Sequence, residues 1–322
     1  MNLGQLVVFE AVYRLVAGAF YVRLADSLLR FSLERAGYSY LTMSNLEEFL
    51  LCPLTAAILL FLLFLGALLI AGEVGGILTA CQASAHRRTV DGLAICRGAL
   101  EKNRDEIKKK NWQLLPLAVM GALFMNGWIL LRVFSRIRPI DFILDELLAA
   151  LGIPFVLAAA AALMMFAGIP AMLVFFTCMV ERRRFADGVR RGRRLLAGRW
   201  LRLSGLLLAA NGALAALLIL FYAVLVFFCA LYVTLFGDAY TAAAVLTETA
   251  ARLEACLLFL GSILASAVDY SVLTAAYYRA AGGKEPGEAW DPAAPYAGPG
   301  RKKWFLRITA AAVAASLFLI WD

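Results

Sequence analysis

Six stretches of this chain are long and apolar enough to cross a lipid bilayer, and that property decides what the chain can become. A helical crossing needs about 20 mostly apolar residues, and residues 50–72, 113–131, 154–180, 205–236, 255–278 and 304–321 each satisfy this. The 322 residues would suit about two soluble domains by length alone, but the composition overrules that reading. Hydrophobic residues make up 63% and charged ones 17%, with a mean hydropathy of +0.79, whereas soluble domains are typically ~45–50% apolar and ~25% charged. The chain reads as all-α, a polytopic membrane helical bundle, and a soluble enzyme is excluded.

A further segment, 3–31, is apolar but carries Glu10, Arg14, Arg23, Asp26 and Arg30. Glu10–Arg14 and Asp26–Arg30 are spaced i,i+4, so each pair can neutralise itself along one helix face. Counting this segment as a first span gives about seven transmembrane helices. The alternative is a helix lying in the interface.

With that count the cations sort by side. The loops 82–112, 181–203 and 279–303 hold 22 of the 31 Lys and Arg residues. The opposite loops hold Arg35, Arg132, Arg136, Arg138 and Arg252 among acids. By the positive-inside rule the three basic loops are cytoplasmic in a plasma-membrane protein. The N-terminus then lies inside and Asp322 emerges outside. The net charge of +8 is mainly this topological label and does not imply nucleic-acid binding. There is no sign of a cleavable signal peptide. The six cysteines lack CxxC spacing and read as unpaired thiols packed as small hydrophobes.

The loops have structure of their own. Ile140, Ile143, Leu144, Leu147, Leu148 and Leu151 lie on one helix face, with Asp141, Asp145 and Glu146 on the other. This predicts a short amphipathic helix on the outer surface. Inside, Arg88-Thr-Val-Asp91-Gly92-Leu93 aligns with Arg184-Phe-Ala-Asp187-Gly188-Val189 at an offset of 96. Either this marks a duplicated span–basic helix–span unit, or two Arg-rich amphipathic helices coincide. In both cases anionic inner-leaflet lipids are the expected partners. The Gly-, Pro- and Ala-rich stretch 279–303 reads as a cytoplasmic linker between a membrane domain over 1–278 and a last helix over 304–322.

Catalytic patterns are missing. His86 is the single histidine and reads as a solvated loop residue, and no GxSxG, HExxH, Walker A or GxGxxG pattern occurs. No metal or cofactor site is expected. The candidate functional groups are the intramembrane polar residues Glu10, Arg14, Glu73 and Asp269, each costly in hydrocarbon. Glu73 is read as a structural partner for an arginine such as Arg14, in preference to a substrate site. Asp269 closes a small-residue stripe, Gly261–Ala265–Asp269, that close helix packing explains. Asn126-Gly127 and Asn211-Gly212 read as interhelical hydrogen-bond and close-contact points.

Several segments resemble the membrane domain of bacterial glycerophosphodiester phosphodiesterases. They are Phe9-Glu10-Ala-Val-Tyr13-Arg14-Leu15, then Ala36-Gly37-Tyr38-Ser39-Tyr40-Leu41-Thr42 with Asn45-Leu46 and Phe49-Leu50. Pro53, Glu73, Pro139-Ile-Asp-Phe142-Ile143 and Glu146-Leu147 extend the likeness. The resemblance implies an anchoring or regulatory membrane domain in glycerophospholipid metabolism. In that family an extracellular TIM-barrel hydrolase follows the last span and uses a His-Arg-Gly motif and a divalent metal. Here the only candidate is His86-Arg87-Arg88, no second histidine exists, and no catalytic residue carries over. A hydrolase domain or subunit on the outer side is the implied partner. The alternative is a stand-alone transporter or lipid-handling protein.

Overall fold

The computed structural model describes residues 2–38, 41–122, 168, 172–236 and 239–281, together with 307 and 310. Among these, all regular structure is helical. Helix α1 runs Leu3–Ala36 and stops where Gly37 turns left-handed (φ 79°) and the Tyr38 N–H bonds the Leu33 carbonyl. The short α2, Met43–Leu51, follows a Thr42 whose N–H donates to Asn45 Oδ1 (2.7 Å). Cys52 is extended, and Pro53 takes the first position of α3, Pro53–Ala85, where its missing N–H costs nothing. Asp91 Oδ1 caps α4, Gly92–Lys108, by accepting from the Ala94 N–H. A helical stretch at 114–122 and a π-helical turn, Phe176–Val180, precede α5, Phe185–Leu196. The long α6, Trp200–Phe236, and α7, Ala239–Ala280, complete the described elements.

Among the described residues four helices are long and apolar enough to cross a membrane: Leu3–Ala36, Pro53–Ala85, Trp200–Leu235 and Glu248–Ala280. The segment 3–31 is thus the body of a spanning-length helix. The expected spans 113–131 and 154–180 are described only in part. The outer helix at 140–151, Asn126-Gly127, and nearly all of 282–322 lie outside the described residues, so the count of seven is not reached among them.

The largest core cluster sits at one end, with smaller ones between α1 and α3 at Ala25, Leu29, Ile58 and Leu62 and around α2 at Leu33, Leu41 and Phe49. The buried residues of the largest come from Leu6 and Phe9, the second half of α3, α4, the π turn, the end of α5, the start of α6 and the end of α7. This is the end that carries the basic loops. Further along, the large side chains of α6 stand exposed, with Leu217 at 62% and Phe228 at 60%. Lipid tails are as apolar as leucine, so nothing drives such side chains between helices within a bilayer. Helix α3 accounts for the difference. At 33 residues it is about 50 Å long, against a hydrocarbon core of ~30 Å. Its second half, from Ala71 to Ala83, buries its apolar side chains against the neighbouring helices. The sequence places the end of this span at Gly72. The helix instead continues to Ala85, because Val74-Gly75-Gly76 is a packing surface and not a terminus. A Cβ on Gly76 would collide with the Phe9 ring of α1, and one on Gly75 would lie 2.8 Å from Asn103 Nδ2 and 3.3 Å from Ala99 of α4.

Two turns at the basic end share one construction. Arg87 and Arg182 both adopt φ 56°, which is uncommon without glycine, and they lie 95 residues apart. Asn2 Nδ2 donates to the Arg88 carbonyl (2.6 Å) and Asn2 Oδ1 accepts from the Val90 N–H (3.2 Å). Asn111 repeats this, donating to the Arg183 carbonyl (3.2 Å) and accepting from the Phe185 N–H (3.1 Å). The structural offset is therefore 95, and the sequence alignment at 96 pairs residues with different roles. Asp91 caps α4, whereas Asp187 lies inside the first turn of α5. The π turn adds a residue: the Arg183 N–H reaches back six positions to the Thr177 carbonyl, and that of Arg88 only five, to Ala83.

Candidate functional site

The intramembrane acids and the arginine that the sequence marks out belong to α1, α3 and α7, and three of the four converge. Arg14 Nε of α1 donates to Glu73 Oε1 of α3 at 2.6 Å. Its second arm donates to Ser266 Oγ of α7 at 2.5 Å, and Glu10 Oε2, one turn earlier on α1, lies 3.5 Å away. One guanidinium thus holds three helices together, with two carboxylates around it. Guanidinium suits this task because its donors fan out in a fixed plane. Glu10 is fully buried, and among the described residues neither of its carboxylate oxygens has a hydrogen-bond partner.

Local sequence sets this geometry. Residues 10 and 14 share a face of α1 through their i,i+4 spacing. Tyr13 donates to the Leu69 carbonyl (2.6 Å), and a Cβ on Gly72 would lie 2.7 Å from its hydroxyl, so glycine leaves it room. Asp26–Arg30, the second pair read in α1, also closes, at 2.9 Å.

Asp269 is not part of this cluster. It is fully buried and accepts from Asn211 Nδ2 of α6 at 2.5 Å. Two turns away Gly261 meets α6 where an added Cβ would lie 2.6 Å from Leu218. The stripe Gly261–Ala265–Asp269 is therefore the seam between α7 and α6. Gly212 contributes nothing to it: a Cβ there meets only open space, so of the Asn211-Gly212 pair the asparagine alone makes the contact.

Sequence reasoning missed Glu181. Its carboxylate is fully shielded, accepts from Tyr277 O–H (2.8 Å) and Arg183 Nε (2.5 Å), and lies 3.5 Å from Arg191 Nε. The available signal was an acid placed directly before Arg182-Arg183-Arg184. At the equivalent position of the other turn stands His86. It is half-buried and meets the Tyr278 ring edge-on, with centroids 6.1 Å apart, so it is a packed residue and not a freely solvated one. The adjacent Tyr277 and Tyr278 of α7 therefore read one turn each.

Two cavities of about 400 and 390 Å3 open at this end. The first lies among α1, α3 and α7, with Asn2, Cys81, Ser84 and Thr274 on its wall; the second lies between α1, α3 and α4. Glu10, Arg14, Glu73 and Asp269 line neither. Among the described residues no group of three or more His, Cys, Asp or Glu is placed to hold a metal ion. The geometry can clamp helices and accommodate a ligand in its cavities.

A family model described as the membrane domain of glycerophosphoryl diester phosphodiesterase matches residues 1–289. No curated protein and no solved structure matches the chain.

Proposed function

Because the chain belongs to the family of glycerophosphoryl diester phosphodiesterase membrane domains, we propose that it is the anchoring or regulatory module of a glycerophosphodiester phosphodiesterase system. The hydrolytic barrel is supplied outside the residues described. The proposed setting is the plasma membrane, with the three basic loops and the N-terminus cytoplasmic, the C-terminus extracellular and anionic lipids of the inner leaflet as partners.

The observation that carries this reading is the use made of the polar groups. Arg14, Glu73 and Ser266, like Asp269 and Asn211, are engaged in helix-to-helix contacts, and none of the candidate charged residues faces either cavity. A substrate pathway would use such groups to line a route at mid-membrane, whereas an anchor uses them to fix its helices. The test is affinity purification of the tagged chain from its native membranes, followed by assay of the eluate for glycerol 3-phosphate release from a glycerophosphodiester. Hydrolysis with an identified hydrolase in the eluate is the expected result. An intact, folded chain that brings down neither overturns the proposal.

One observation favours a second reading, transport or lipid handling. The buried Glu10 carboxylate lacks hydrogen bonds among the described residues, as a proton-carrying group would between partners. Uptake of a glycerophosphodiester into proteoliposomes that is abolished by Glu10→Gln would establish this reading; no uptake by the folded, reconstituted wild type would remove it.

A further inference from the structure

Helix α4 returns alongside α3. Asn103 Nδ2 bonds the Ala71 carbonyl (3.1 Å), and Gly98 packs where a Cβ would lie 2.6 Å from Thr79 Oγ1. Beside this contact lies the 390 Å3 cavity, walled by Phe9, Tyr13, Ala71, Cys96, Ala99 and Leu115. The polar groups on its wall are committed to other partners. Tyr13 donates to Leu69, Asn103 to Ala71 and Ala99, and Asn111 to Glu106 and Arg183, while the Glu106 carboxylate on the wall accepts from Asn111 and Lys109. What remains for an occupant is an apolar surface.

Its mouth is unlike the rest of the basic end. Leu100 (73% exposed) and Ile107 (47%) of α4, with Trp112 (49%) just past its end, form an apolar lip. Arg104 lies one turn from both Leu100 and Ile107, and Lys108 and Lys110 follow at the end of the helix. All three cations are exposed, and none makes an ion pair among the described residues. Cations beside exposed leucine, isoleucine and tryptophan mark a helix seated at the boundary between headgroups and acyl chains.

We infer that this cavity receives one acyl chain of an anionic phospholipid from the adjoining leaflet, with the lipid phosphate held by Arg104, Lys108 and Lys110. The inference deepens the anionic-lipid part of the reading above and takes from it only the identity of the leaflet. A hydrolase that fails to copurify leaves it standing, and its own failure leaves the hydrolase association standing.

The test titrates the full chain, delipidated in detergent, with phosphatidylglycerol and with phosphatidylcholine, and counts bound lipid by native mass spectrometry. One phosphatidylglycerol binds with a preference of about tenfold or more over phosphatidylcholine, the scale expected for a few nearby cations. Arg104→Gln/Lys108→Gln/Lys110→Gln, which alters only exposed side chains, abolishes the preference, and Cys96→Phe, which fills the cavity, abolishes retention of either lipid. Should Cys96→Phe fail to fold, phosphatidylglycerol brominated along its chains replaces it. Bromine then quenches tryptophan emission in the wild type and less in Trp112→Phe. Equal binding of both lipids by the wild type, a preference that survives the triple variant, retention unchanged by a folded Cys96→Phe, or quenching unchanged by Trp112→Phe overturns the assignment.

Discussion

Arg14 Nε and Glu73 Oε1, 59 positions apart in the chain, meet at 2.6 Å and join α1 to α3, while the same guanidinium reaches Ser266 of α7. Removing one member of such a buried pair strands the other's charge, a loss of about 3–5 kcal/mol. Arg14→Met should therefore lower the unfolding temperature far more than Arg14→Met/Glu10→Gln/Glu73→Gln, in which no charge is left behind. Thermal unfolding in detergent measures both. A triple variant no more stable than Arg14→Met would show that the cluster does not act as an ion pair.

The contact between Asn211 and Asp269 should matter less. Interhelical hydrogen bonds in membranes average about 0.6 kcal/mol and reach about 1.7, so replacing both partners, Asn211→Leu/Asp269→Leu, should cost well under half of what Arg14→Met does. The same unfolding measurement ranks them, and a reversed order would refute the comparison.

Asn2 and Asn111 each satisfy a carbonyl and an N–H in a turn containing a left-handed arginine. Asn111→Ala should speed hydrogen exchange across residues 181–188 and Asn2→Ala across 86–94, each leaving the other turn protected. Unpaired backbone groups of this kind cost about 1–3 kcal/mol. Unchanged exchange in both turns would deny the clamps their role.

Two glycines within the described helices contrast in their surroundings. Gly76→Ala drives a methyl into the Phe9 ring and should destabilise. Gly212→Ala meets open space and should stabilise slightly, by up to about 1 kcal/mol of helix propensity. Paired melting curves decide, and similar shifts in both variants would contradict the packing described.

Cys52 lies at the start of α3, at the end opposite the basic loops, whereas Cys96 lies in α4, where burial pushes its thiol pKa up. In single-cysteine variants, a membrane-impermeant maleimide applied to intact cells should label Cys52. Cys96 should react only after permeabilisation, and slowly. Labelling of Cys96 from outside would invert the proposed orientation.

The helical membrane class, the identity of the charged residues and the i,i+4 pairs of α1 were legible in sequence because each depends on local composition or on spacing within one helix. A run of 20 apolar residues has few fates in a bilayer, and Glu10 and Arg14 share a face wherever the helix lies. Relations between helices were not legible. Nothing local separates Glu73, which finds Arg14, from Asp269, which finds Asn211, or shows that Glu181 is shielded by Tyr277 and Arg183. Nor does hydropathy reveal that α3 continues past Gly72, since Val74-Gly75-Gly76 is a weak helical stretch whose value lies in letting Phe9 and Ala99 approach. The sequence by itself determined that the chain enters a membrane and where its cations gather. The tertiary structure decided which charges pair and where the core sits, because lipid provides no drive to bury apolar side chains between helices. The helices longer than a crossing requires pack against one another at their basic ends.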